Sequence, residues 1–322
     1  MRLLLPLLMV LPMSTATLAF DLQGHRGARG LAPENTLPAF AAALSLGVTT
    51  LELDIGITRD GVVVVAHDPT LNPDIARGPD GNWHEARGAA IFAMSFDELA
   101  RYDVGRLKAG TKYAAAFPEQ KPVDGTRIPR LAELFALVKR AGNEAVRFNI
   151  ETKVSPLEPS QTMPPEPFAR KLIEEIRRAG MTGRTAIQSF DWRTLQVVQR
   201  EAPEIATVCL TSPRTLAPVD GKPTPWTAGI DPAAHAGSVP RMVKAAGGAI
   251  WSPNAGFVDA QKVAEAKYLG IKVVVWTVNE PEHIRRMMDL GVDGIISDRP
   301  DRVRAEMAAR GMAVPKPTPV AP

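Results

Sequence analysis

The chain has 322 residues, 45% hydrophobic, 23% charged and 6% aromatic, a composition ordinary for a soluble globular protein that excludes disordered, collagenous and disulfide-knotted ones. Lys and Arg number 38 against 35 Asp and Glu, so the formal charge is only +3, too small an excess to imply electrostatic binding of nucleic acid. The single cysteine, Cys209, cannot close an internal disulfide, so stability must come from a buried core, which a chain of this length supplies.

In chain order, Arg2, the apolar run over residues 3–12 and the small residues from Ser14 to Ala19 resemble a secretory signal peptide. Pro6 and Pro12 interrupt a stretch shorter than the roughly 20 apolar residues of a membrane span. The expectation is a signal peptide over residues 1–19, cleaved after Ala19 with Ala16 the alternative. The mature protein is then exported, periplasmic or secreted, without stable membrane insertion.

From residue 20 onward, β-rich runs alternate with helical patterns, the signature of a parallel sheet covered by helices. Strands are expected at residues 22–25, 49–54, 147–151, 185–189, 205–210, 248–251, 272–276 and 294–297. That is about eight, the number that closes an α/β TIM (β/α)8 barrel. Helices are expected at 37–46, 131–141, 167–179, 192–201, 239–246, 258–269, 281–290 and 302–310. Several end at glycine, as at Gly47, Gly180, Gly270 and Gly291, where a helix terminus favours a left-handed residue.

One connection breaks the rhythm. About residues 68–128 read as an insertion after the second barrel strand, with a Gly- and Pro-rich loop near 78–88 and a short helix at 96–101. The alternative is a second domain, but no segment reads as an independent core or linker. The domain is therefore drawn over 20–313, and the Pro-rich residues 314–322 as a disordered tail.

Side chains two apart on a strand share a face, so Glu52 and Asp54 point one way while Leu51, Leu53 and Ile55 point the other. Glu151 and Lys153 repeat the device at the C-terminal end of the third strand, the end where these barrels place active sites. Clustered carboxylates repel and are costly to desolvate; a hard divalent cation removes both costs. A metal held by Glu52, Asp54 and Glu151 is one reading, and an ion-pair network with Lys153 or Arg26 is the other. Zinc is disfavoured, since no His-Glu-x-x-His helix or Cys/His spacing occurs. His25 and His67 end extended runs near the same rim, where imidazole can serve as acid or base. Glycines 24, 27 and 30 are spaced GxxGxxG, which meets neither dinucleotide nor P-loop patterns.

The ordered set of motifs goes further. It runs from His25-Arg26-Gly27 and Pro33-Glu34-Asn35-Thr36 through Glu52-Leu53-Asp54, Asp60-Gly61, His67-Asp68 and Glu151-Thr152-Lys153. It continues with Trp276-Thr277-Val278-Asn279 and Gly291-Val292-Asp293-Gly294 to Asp298-Arg299-Pro300. This set resembles the glycerophosphodiester phosphodiesterase family across nearly the whole mature chain.

The resemblance implies a TIM barrel with bound Ca²⁺ or Mg²⁺ that cleaves small-molecule glycerophosphodiesters to sn-glycerol 3-phosphate and an alcohol. It implies His25 and His67 as the acid-base pair, and Glu52, Asp54 and Glu151 as holders of the cation. Arg26, Lys153 and Trp276 fall at substrate-binding positions, and Glu34 and Asn35 at a rim within reach of the metal. Taking His25 as base and His67 as acid, the reaction requires one neutral and one protonated imidazole, hence a bell-shaped pH profile. The chain departs from the family at Arg130, where threonine is usual, and in generous loops at 154–166 and 211–237. Trp226 and His235 in the second loop are either exposed or within reach of substrate. Rival functions are a lysophospholipase D and a non-catalytic exported phosphodiester-binding protein, the latter disfavoured because binding needs no acid-base pair.

Overall fold

The computed structural model describes residues 20–322; the leader expected over residues 1–19 lies outside them. Nine strands follow in the order β1 (Asp21–Gly24), β2 (Thr50–Ile57), β3 (Val63–Val65), β4 (Arg147–Thr152), β5 (Thr185–Ser189), β6 (Ala206–Thr211), β7 (Ile250–Pro253), β8 (Lys272–Val275) and β9 (Gly294–Ser297). Eight are hydrogen-bonded in the order β1-β9-β8-β7-β6-β5-β4-β2, and β2 returns to β1, so the sheet closes. Every pairing around this ring is parallel. The expected TIM barrel is the fold. The ninth strand, β3, lies antiparallel on β2 with Val65 opposite Ile55.

The helices are α1 (Leu37–Leu46), α2 (Phe96–Leu99), α3 (Lys112–Ala116), α4 (Leu131–Arg140), α5 (Pro165–Ala179), α6 (Trp192–Glu201), α7 (Pro213–Leu216), α8 (Val239–Ala245), α9 (Ala260–Tyr268), α10 (Pro281–Asp289) and α11 (Pro300–Ala309). Boundaries moved where caps decide them. Asp259 accepts the Lys262 N–H at 2.9 Å, so α9 starts after it and Val258 stays extended. Gly248 closes α8 by donating to Val243 O at 3.0 Å, which delays β7 to Ile250.

Alternation along β2 sorts the core as expected: Leu51, Leu53 and Ile55 are wholly buried in the layer between barrel and helices. Phe148 on β4 meets Phe135 on α4 edge-to-face, with centroids 4.9 Å apart. Between β2 and α4 the chain carries β3, α2 and α3, and this segment has a small apolar cluster of its own, including Val64, Leu71, Ile91, Phe96, Leu99 and Ile128. No such core is evident in the sequence, because its members come from short elements, Val64 of β3 and Phe96 and Leu99 of α2, and from separate positions in the loops between them. It is anchored to the barrel through the β2–β3 pairing.

The C-terminal residues 314–322 adopt no regular structure, yet they lie against the barrel rather than free of it. Thr318 N–H donates to Leu44 O at 2.9 Å, Asn143 Nδ2 to Thr318 Oγ1 at 2.9 Å, and Arg304 Nη1 to Pro315 O at 2.6 Å. Leu44 O, in the last turn of α1, also accepts from the Gly47 N–H at 3.2 Å, so the tail supplies it with a second donor. A proline-rich segment has few N–H groups of its own to satisfy.

Candidate active site

β1 delivers His25 to the C-terminal mouth of the barrel, where its N–H donates to Ser297 O on β9 at 2.9 Å. The chain then turns sharply through Arg26, which sits in the left-handed region at φ 50, a conformation costing a non-glycine residue roughly 1–2 kcal/mol. Its N–H is held there by Glu52 Oε2 at 2.9 Å. The turn also explains two glycines: a Cβ at Gly24 would lie 2.1 Å from Gly27 O, and one at Gly27 would lie 2.7 Å from the Ala39 backbone.

His25 Nδ1 is 2.6 Å from Asp298 Oδ1. That carboxylate also accepts from Arg29 Nε at 2.9 Å and from Asn279 Nδ2 at 2.8 Å, so its position is fixed on several sides. An ionised carboxylate only accepts, so Nδ1 carries the ring proton and the Nε2 lone pair is bare. Burial and Arg29 push the His25 pKa down to about 4 against the pull of Asp298, which leaves a neutral imidazole suited to take a proton. His67 Nδ1 meets Asp68 Oδ1 at 3.1 Å, and Asn72 Nδ2 donates to the other Asp68 oxygen at 2.7 Å. Burial, then Arg26 and Lys153, lower the His67 pKa.

Glu52 and Asp54 on β2 and Glu151 on β4 place carboxylate oxygens within 4.8 Å of one another, all three buried. Burial, then the Asp54 charge, raises Glu52 well above the carboxylate range. Burial, only partly offset by Lys153, pushes Glu151 up to about 7. Asp54 is held low: against the penalty of burial, His67, Arg26, Lys153 and a 2.9 Å hydrogen bond from Asn35 Nδ2 favour its charge.

Both readings of the cluster have support. Lys153 Nζ lies 2.8 Å from Glu151 and 3.7 Å from Asp54, and Arg26 Nε lies 3.3 Å from Asp54. The cations do not balance the acids, because Arg26 is also committed to Glu34 at 2.6 Å and the only ion-pair partner of Glu52 among the described residues is His25 at 3.9 Å. Three converging hard oxygen donors with uncompensated charge fit a divalent cation of the Ca²⁺ or Mg²⁺ kind.

A cavity of ≈ 190 Å³ is lined by His25, His67, Arg26, Lys153, Glu52, Glu151 and Trp276, so the predicted residues from five separate stretches meet at one mouth. Asp54 and Asn35 join them from behind through the hydrogen bond between them. Glu34 stands apart from the carboxylate cluster: its oxygens are taken by Arg26 and by Tyr113 of α3. Trp276 donates from Nε1 to Ser252 O at 2.9 Å and packs edge-on against Phe190 at 5.4 Å. Trp226 packs edge-on against Phe190 with centroids 6.4 Å apart, and neither it nor His235 lines the cavity. Arg130 stacks on Phe96 at 4.0 Å, away from the site.

Sequence reasoning gave no role to Arg29, Asp298, Asn279, Gln188 or Phe190. Asp298 was findable, since it follows β9 at the catalytic end of the barrel. Arg29 carries no local signal beyond lying four residues after His25.

The model of the glycerophosphoryl diester phosphodiesterase family matches residues 25–302. A glycerophosphodiester phosphodiesterase from Caldanaerobacter subterraneus subsp. tengcongensis is 30% identical over 277 residues, covering 86% of this chain and 93% of that relative. A crystal structure from Silicibacter pomeroyi, named for the same family, matches with a TM-score of 0.82 and 36% identity over 92% of this chain and 96% of that one. An Oleispira antarctica phosphodiesterase solved with the product sn-glycerol-3-phosphate shares the fold, with a TM-score of 0.63 and 21% identity over 89% and 96% of the two chains. With the match running from His25 into the last barrel helix, the chain belongs to the glycerophosphoryl diester phosphodiesterase family.

Proposed function

We propose that this enzyme hydrolyses glycerophosphodiesters to sn-glycerol 3-phosphate and an alcohol with the help of Ca²⁺ or Mg²⁺ at Glu52, Asp54 and Glu151. The observation that carries the reading is the convergence on one cavity of two imidazoles, three cationic side chains (Arg26, Arg29 and Lys153) and the carboxylates of Glu52 and Glu151, with a carboxylate oxygen of Asp54 within 4.8 Å of both. A cation bound by the carboxylates supplies charge stabilisation for the phosphoryl oxygens as the transition state forms. Arg26 and Lys153 add fixed positive charge beside them.

His25 acts as the base: its bare Nε2 takes the proton from the attacking hydroxyl, water or the 2-hydroxyl of the glycerol moiety. Asp298 holds the tautomer and stabilises the imidazolium that results. His67 acts as the acid on the leaving alkoxide. Arg26 and Lys153, which depress His67 in the free protein, are the groups a phosphodiester monoanion pairs with. Substrate arrival therefore favours the protonated His67 that this role requires.

The protein is further proposed to be exported, on the composition of residues 1–19; N-terminal sequencing of protein recovered outside the cytoplasm tests this. Turnover of a panel of glycerophosphodiesters and of lysophosphatidylcholine, after exhaustive chelation and again with Mg²⁺ or Ca²⁺ restored, tests substrate class and cation together. Release of alcohol from glycerophosphocholine only with a cation present is expected. Activity confined to lysophosphatidylcholine transfers the assignment to a lysophospholipase D.

A further inference from the structure

At the opposite end of the barrel from the catalytic mouth lies a larger cavity of ≈ 440 Å³, lined among others by Gln23, Thr50, Asn149 and Ala186. Between it and Glu52 the barrel interior is polar, where such barrels usually stack Val, Ile and Leu. Gln23, Asn149 and Gln188 are 3%, 2% and 1% exposed, and buried amides persist only when their hydrogen bonds are made.

These side chains form one continuous series. Gln188 Nε2 donates to Glu52 Oε1 at 2.7 Å. Asn149 Nδ2 donates to Gln188 Oε1 and to Gln23 Oε1, each at 2.9 Å. Gln23 Nε2 donates to Asp21 Oδ2 at 2.9 Å. With Glu52 ionised, the form a cation requires, the orientations are mutually dictated, because both ends are then carboxylates that accept only. Each glutamine must turn its NH2 to a carboxylate and its oxygen inward, and Asn149 must give both N–H groups to those oxygens. Flipping any one amide would set donor against donor or oxygen against oxygen. The arrangement leaves Asn149 Oδ1 as a buried acceptor without a protein partner, beside a cavity that can supply a water to it.

We propose that Gln188 is a positioning residue for the cation site. Through it the barrel interior fixes the Glu52 carboxylate and thereby sets cation affinity, with Asn149 and Gln23 bracing Gln188 from the far end. Glu52 Oε2 is already held by the Arg26 N–H at 2.9 Å. With Gln188 on Oε1, each oxygen has one fixed donor and one lone pair left to face the cation. This inference rests on the cation reading above.

The test is calorimetric titration of the chelator-treated protein with Mg²⁺ alone and with Ca²⁺ alone. Gln188→Met preserves volume and removes the donor; the expected rise in cation Kd is about 10–100-fold, the usual effect of losing a group that orients a ligand. Asn149→Leu, one bond further away, raises Kd by a smaller factor. Ile187→Val, outward on the same strand and wholly buried, lowers the melting temperature but leaves cation Kd unchanged. Should Gln188→Met not fold, Gln188→Asn keeps an amide on a shorter stem and weakens the cation likewise. Wild-type affinity in the Gln188 variant, or equal weakening by Ile187→Val, overturns the inference alone. Wild-type protein that binds neither cation overturns the cation reading and this inference with it.

Discussion

Asp298→Asn is the sharpest test of the proposed base. Asp298 Oδ1 receives His25 Nδ1 at 2.6 Å and Arg29 Nε at 2.9 Å, and Oδ2 receives Asn279 Nδ2 at 2.8 Å and Arg29 Nη2 at 3.2 Å. An asparagine amide has no harmless orientation there, because its NH2 meets two donors on either side. Placed toward Arg29 and Asn279, it leaves buried donors unpaired at about 1–3 kcal/mol each. Placed toward His25, it forces Nδ1 to accept, moves the ring proton to Nε2 and removes the lone pair the reaction needs. The first route lowers stability; the second costs about 2.7 kcal/mol of barrier or more, which is two decades in rate. The sign of the pH effect follows independently: Asp298 raises the His25 pKa, so its neutralisation shifts the acid limb of kcat/KM to lower pH. Alcohol release from glycerophosphocholine, measured across pH on protein whose circular dichroism matches wild type, reads both effects. Near-wild-type turnover, or an acid limb displaced upward, refutes the assignment of His25 as an Asp298-oriented base.

Four other outcomes are expected. His25→Ala and His67→Ala should each lose roughly two or more decades of kcat, and a variant with near-normal turnover forfeits the role given to its histidine. Exhaustive chelation should abolish activity, and Asp54→Asn should raise the cation concentration needed to restore it; activity indifferent to chelation removes the metal from the mechanism. Because burial raises Glu52 well above the carboxylate range and pushes Glu151 up to about 7, a cation competes with protons at both: affinity should weaken as pH falls through this region, with proton release visible as buffer-dependent heats of titration. Ending the chain after Ala313 deletes the bonds from Thr318 to Leu44 and Asn143 and from Pro315 to Arg304; net losses of about 1 kcal/mol per bond should lower the melting temperature by a few degrees with kcat unchanged.

What the sequence discloses and what it conceals divide along the range of the interactions. Alternation on one strand is local, so Leu51 and Leu53 against Glu52 and Asp54 reveals both the buried face and the inward carboxylates before any fold is known. The βα rhythm is also local, and it suffices for the barrel because a parallel strand pair needs a crossover helix. The orientation of His25 is different in kind: its partner Asp298 lies 273 positions away and becomes a neighbour only when β9 closes on β1. The same holds for Gln188, 136 positions from Glu52, an ordinary polar residue in a strand until the barrel brings the two together. The residues that do the chemistry can thus be named from short motifs. For those that fix a tautomer or aim a carboxylate, a motif can flag the residue, as Asp298-Arg299-Pro300 does, but not its partner, since the pairing is a property of barrel closure. It follows that substitutions at Asp298 and Gln188 should perturb the protonation and cation affinity of partners that their own sequence neighbourhoods give no reason to connect with them.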